Sequence, residues 1–253
     1  MSEQRVSNPY ATESPTTPGT ATTPTGAASP TTLGVIPDAR LQAAFLTQAF
    51  MWMFAGLLVT AGVAFAIQSN DRLLQFAADS LFIMLIAQIA LVVAISWGIN
   101  RINATVALGL FFVYAASLGV TIGLIVQAYT GESVVTAFLS ASAMFGAAAI
   151  YGAVTKRSLA GIGGYLFMGL IGIIVASVLN IFLGNETLSW VIAVIGVVIF
   201  TALTAYDVQR IQSGDIAART GSMEKAAVIG ALELYLDFIN LFLFMLRLFG
   251  GRD

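Results

Sequence analysis

IGALELYLDFINLFLFMLRLF, residues 229–249, is long and apolar enough to cross a bilayer as a helix, yet it carries two acids in its interior. Glu233 and Asp237 lie one helical turn apart and share a face, with Asn240 close beside them. At about 1.5 Å per residue, Asp237 falls about 12 Å into the segment, toward the bilayer midplane, and Glu233 about 6 Å in. A carboxylate at that depth costs at least ~2.5 kcal/mol, so a helix rarely keeps one without a task. These acids make the segment a poor lipid-facing helix, and we expect the other helices to surround it. A third acid, Asp207, closes the preceding apolar run in TALTAYD, residues 201–207. An acid at a helix C-terminus opposes the dipole. The helix is therefore expected to continue to about residue 211, drawing Asp207 inward toward Asp237.

The rest of the chain fits the same setting. Of 253 residues, 58% are hydrophobic and 9% charged, against about 25% charged in a soluble domain. Seven apolar runs, at 44–67, 80–98, 104–128, 134–154, 161–183, 188–206 and 228–249, each match the ~20 residues a spanning helix needs. Backbone polar groups must be satisfied internally in lipid, and no run alternates as a barrel strand would. The reading is an all-α polytopic membrane protein with seven transmembrane helices. Residues 38–253 form this domain. Residues 1–37, including SNPYATESPTTPGTATTPTGAASPTT, are Thr/Pro/Ala-rich and read as a disordered tail without a signal peptide.

Lys and Arg set the orientation. With the N-terminus in the cytoplasm, Arg5, Arg40, Arg101, Lys156, Arg157, Arg210, Arg219 and Lys225 lie inside, and Arg72, Arg247 and Arg252 outside. The bias favours an inside N-terminus and an outside C-terminus. Small residues at close spacing (Gly119 and Gly123; Gly169 and Gly172; Ala143, Gly146 and Ala147) read as helix-packing faces. Gln88, Gln127 and Asn180 read as interhelical hydrogen bonders.

Composition also excludes chemistry. The chain has no cysteine and no histidine, so disulfides, thiolate metal sites and imidazole bases are absent. A net charge of −2 and the lack of a basic cluster argue against nucleic acid. No HExxH, Walker loop, nucleophile elbow or dinucleotide fingerprint occurs, and GIGG at 161–164 merely opens an apolar segment. No enzyme activity and no cofactor are expected. Proton chemistry falls to carboxylates, Lys or Tyr. Two ionised carboxylates cannot sit side by side in low dielectric, so a shared proton, a buried Arg or a cation must relieve them. Hydrogen bonding to neighbouring helices, a cation path, a proton relay and a pH-operated latch all fit these acids. Asp207 sits in a YD pair, as in intramembrane aspartyl proteases, but YLDFIN around Asp237 lacks their GxGD setting.

Three stretches carry a resemblance. LYLDFINLFLFMLRLFG (234–250) resembles the C-terminal signature of the Bax inhibitor-1 (transmembrane Bax-inhibitor-motif) family. FTALTAYDVQRI (200–211) resembles its sixth-helix signature, and YGAVTKRSLAGIGGYLFMGLIGIIVASVLN (151–180) is similar to bacterial members. The likeness spans residues 40–251. It implies a seven-helix bundle with the last helix at its centre. It also implies a hydrogen-bonded pair of Asp207 and Asp237 acting as the pH sensor of a calcium leak, with calcium as permeant or weakly held ion on those two carboxylates. A basic residue near the exit of the second helix is a family feature, which makes Arg101 the candidate charge partner. Glu233 departs from the family, which has a small polar residue there; an extra acid would strengthen cation binding or alter the pair's titration. The resemblance further admits a membrane-embedded modulator of other membrane proteins in stress or quality control. The expected surroundings are the lipid bilayer of a bacterial plasma (inner) membrane, calcium ions and membrane-protein partners.

Overall fold

The computed structural model describes residues 39–250, with side chains from Gln42 onward. The tail expected over residues 1–37 lies outside the described residues, as do Arg5 and Arg252. Eight α-helices follow in order: α1 (Ala39–Gln68), α2 (Asp71–Gly98), α3 (Ala104–Val126), α4 (Gly131–Val154), α5 (Gly163–Leu183), α6 (Glu186–Gln212), α7 (Asp215–Thr220) and α8 (Met223–Phe249). All but the short α7 are long and apolar enough to span a membrane. The protein is an all-α polytopic membrane protein.

The seven expected runs are found, with longer ends. α2 begins at Asp71 rather than near residue 80, because Asn70 caps it by accepting from Arg72 N and Leu73 N (3.0 and 3.3 Å). α6 does continue past Asp207, to Gln212. α7 is an addition that hydropathy could not reveal. Its six residues, of which only Ile216 is large and apolar, are set between Gly214 (φ 80°) and Gly221 (φ 64°), left-handed turns that cost other residues strain.

Burial separates the helices. α8 holds sixteen buried residues and packs on α1, α3, α4, α6 and α7. α5 holds one, Ile173, and packs chiefly on α6. Exposed rings such as Phe182 and Trp97, both 84% exposed, are what a helix surface facing lipid rather than water carries.

Packing is close where glycine allows it. A Cβ on Gly119 would meet Thr60 O at 2.7 Å, and one on Gly123 would meet Ala64 O at 3.1 Å, so α3 lies directly against α1. On α4 the contact face differs from the expected one. Ala143 and Ala147 are exposed, while Ala141, Ala148, Ala149 and Gly152 are buried, Gly152 against the Ala205 backbone of α6. A helix that is apolar all round carries no periodicity to tell lipid from neighbour. The intramembrane amides serve as interhelical bonds. Gln88 Nε2 donates to Thr121 Oγ1 (2.8 Å), and Asn180 Nδ2 to Ser189 Oγ; Gln127 instead lies exposed just past the end of α3.

A charged cluster between α6 and α8

Helix geometry puts the acids on facing surfaces. Asp207 and Arg210 are three apart on α6, and Glu233 and Asp237 four apart on α8, so each pair shares one face. α6 and α8 pack along their length, which brings the two faces together. Asp237 lies about 21 Å along α8 from Met223, at about 1.5 Å per residue, near the middle of the helix. Asp237 is 4% exposed and Asp207 7%.

All four charged groups line one cavity of about 470 Å³. Gly163, Phe167 and Leu170 of α5 form its outer wall, and Asn240 of α8 stands at one end. Arg210 is the cation of the cluster. Its Nη2 donates to Glu233 Oε1, and its Nη1 lies 3.7 Å from Asp207 Oδ1. Tyr206 presents its ring to the guanidinium at 5.5 Å, a distance at which cation–π attraction acts. Asp237 stands apart from the ion pairs. Thr204 of α6 sits beside it. Its Oδ2 is buried without a hydrogen-bond partner, and Glu233 Oε2 and Arg210 Nε share that condition. These polar atoms have no protein partner and lie beside the cavity, where water or an ion could satisfy them.

The sequence expectations fare unevenly here. Asp207, Glu233 and Asp237 do meet in one place. No hydrogen bond joins Asp207 to Asp237 among the described residues; Asp207 turns instead toward Arg210, one turn along its own helix. Arg101 is not the charge partner. It is exposed on the α2–α3 turn, and α2 packs chiefly along α1 and α3, away from the acids. Arg210 takes that place. Its i, i+3 spacing to Asp207 was the available signal, outweighed by its position among the inside cations. Glu233 is the acid that holds Arg210 rather than a carboxyl merely facing solvent. For calcium, no group of three or more acids among the described residues is gathered closely enough to hold a metal ion. Any cation would meet these oxygens weakly, short of the six to eight ligands that calcium prefers.

A second cavity, about 310 Å³, lies toward the α6–α7 end and shares Tyr206 and Arg210 with the first. Lys156, Arg157 and Gln209 line it, and Gln209 ties the α4–α5 loop to α6 by accepting from Leu159 N (2.7 Å) and donating to Arg157 O (2.9 Å). Arg210 thus stands at the boundary between the acid cavity and the loops.

Comparison with known proteins agrees with these features. Residues 42–253 match the family model described as "Inhibitor of apoptosis-promoting Bax1". The chain is 42% identical to the "Inner membrane protein YbhL" of Escherichia coli over 224 residues, 86% of this chain and 95% of that protein. A protein of Deinococcus radiodurans is 39% identical over 210 residues (83% of this chain, 91% of that one), and one of Borreliella burgdorferi 42% over 213 residues (82% and 92%). With its apolar helices and the cluster between the last two spans, the chain belongs to the Bax inhibitor-1 family of membrane proteins.

Proposed function

We propose that the protein is a proton-sensitive leak pathway for cations, calcium foremost, in a bacterial inner membrane. The observation that carries this reading is the α6–α8 cluster: three carboxylates and one guanidinium lining a single cavity inside an otherwise apolar bundle. Fully ionised, the cluster has two more negative than positive charges. Low dielectric does not tolerate that excess, so protons or cations must make it up. Arg210 is held closely by Glu233 and more loosely by Asp207, at 3.7 Å, so Asp237, with Asp207 beside it, supplies the oxygens for which protons and cations compete. Arg219 of α7 is a further cation within Coulombic range of Glu233. Two carboxylates, rather than a full coordination cage, suit an ion that must leave again.

Calcium flux into indicator-loaded proteoliposomes tests the reading. Protons fill the carboxylates at low pH, so flux should rise as pH rises. Asp207→Asn and Asp237→Asn, which mimic the protonated form, should lower flux and flatten its pH profile. Unchanged flux and profile in both variants would refute the competition. The Arg and Lys bias supports an inside N-terminus and an outside C-terminus, and the inner-membrane name of the Escherichia coli relative supports the compartment.

A second reading, a membrane-embedded modulator of other proteins, is favoured by the family description, which names a protein target. It predicts that removing residues 1–37 abolishes a stress phenotype while leaving flux intact. The cation path and the modulator can coexist in one molecule.

A further inference from the structure

The acid cavity has a counterpart at the other end of the same three helices. A cavity of about 550 Å³ lies near the α5–α6 turn, lined by Ser177 and Asn180 of α5, Ser189 of α6 and Arg247 of α8 among others. Its polar groups are joined: Arg247 and Asn180 both donate to Ser189 Oγ. Phe244 lines this cavity and Phe200 lines the acid cavity. The two rings meet, centroids 5.8 Å apart and tilted by 39°. Phe244 also lies flat against Gly196 of α6, where a Cβ would approach the ring to 2.5 Å. A side chain at position 196 would push the ring away, so the seat for Phe244 requires glycine.

The order along each helix repeats. On α8, Glu233, Asp237, Asn240, Phe244 and Arg247 follow at three- and four-residue steps on one face. On α6, running the opposite way, Ser189, Gly196, Phe200 and Asp207 recur at steps of seven and four, again one face. Both faces read polar, then aromatic or glycine, then acidic. The cavities are separated along α8 by less than one turn, from Asn240 to Leu243, about 4.5 Å.

We infer that Phe200 and Phe244, seated on Gly196, form a hydrophobic constriction dividing one α5–α6–α8 pathway into a polar vestibule at the α5–α6 turn and the acid cavity beyond. Water and ions cross an apolar constriction poorly until it widens, so the rings hold the resting leak low. Rotation of the Phe244 ring off Gly196 would open the apolar step between the two cavities. The inference rests on the cation-path reading for its physiological role, but its geometry can be tested without any ion flux.

The chain has no cysteine, so single thiols can be placed without background. Ser177→Cys reports the vestibule and Leu170→Cys the acid cavity. A charged, membrane-impermeant methanethiosulfonate is applied to vesicles from the face carrying the α5–α6 turn. Ser177→Cys should label and Leu170→Cys should not. Adding Phe244→Ala to Leu170→Cys should raise its labelling to the rate of Ser177→Cys, and Phe200→Ala should act in the same direction. Calcium leak at neutral pH should rise severalfold in the same ring variants. Leu170→Cys labelling as fast as Ser177→Cys with both rings intact would overturn the constriction, and needs no ring variant to fold. Failure of Ser177→Cys to label with the charged reagent while a lipid-soluble maleimide reaches it would show a lipid-filled crevice, which also overturns the inference. If wild type passes no calcium yet the labelling follows the expected pattern, the constriction stands and the cation-path reading fails.

Discussion

The two faces of α8 solve opposite problems. On one, Tyr235 is fully buried and its hydroxyl is 2.6 Å from Thr60 Oγ1, which is also 2.9 Å from Ala115 O and 3.0 Å from Gly56 O. Its ring meets Phe111 edge-on at 5.5 Å and Tyr114 at 6.0 Å. The groups there are neutral and paired, as a stable interior requires. On the other face, Glu233 and Asp237 are charged or chargeable and each leaves an oxygen without a partner beside a cavity. One helix thus joins a satisfied half, against α1 and α3, to an unsatisfied half against α6, beside a cavity that α5 walls. The first half is held by neutral, paired groups; the proposed ion chemistry falls to the second.

That contrast can be broken by substitution, and the largest stability effect is expected at Arg210. Arg210→Met would leave the carboxylates of the cluster without their cation; Arg210 and Glu233 are half-buried, so the loss should fall at the low end of the ~3–5 kcal/mol of a fully buried pair broken from one side, at about 3 kcal/mol. Thermal unfolding in detergent would register the loss. The effect should shrink as pH falls, because protonation removes the uncompensated charge. Glu233→Gln is milder. It weakens one charge-assisted hydrogen bond while Asp207 remains near Arg210, so about 1.5–3 kcal/mol is expected by the same measurement. Tyr235→Phe deletes one neutral hydrogen bond and leaves Thr60 its carbonyl partners, which predicts about 0.5–1.5 kcal/mol and no change in calcium flux. Gln88→Met, on the α2–α3 contact, removes the bonds from Gln88 Nε2 to Ser117 and Thr121; at about 0.6 kcal/mol for each interhelical hydrogen bond in membranes it should cost about 1 kcal/mol and leave flux unchanged.

The spans and the three acids were legible in the sequence because hydropathy and the cost of intramembrane charge are local signals. The extension of α6 past Asp207 was legible too, through the dipole argument. What escaped has a common cause. Arg210 looked like one more cation at an inside helix end, and only the packing of α6 on α8 turns it toward Glu233. Arg101 was favoured by a family likeness, but it lies exposed on the α2–α3 turn, away from the acids. The contact face of α4 was misassigned because Ala143 and Ala148 look alike when every face is apolar. The aromatic constriction was invisible for the same reason: Phe200 and Phe244 are two rings among seventeen phenylalanines until Gly196 gives one of them a seat.

The central claim is that the ion chemistry belongs to the unsatisfied face of α8 alone. Calcium flux through proteoliposomes across the neutral pH range, with Asp237→Asn and Tyr235→Phe measured side by side with wild type, tests it most directly. The account predicts that Asp237→Asn loses flux and its pH dependence while Tyr235→Phe keeps both. Equal losses in the two variants, or none in either, would contradict it.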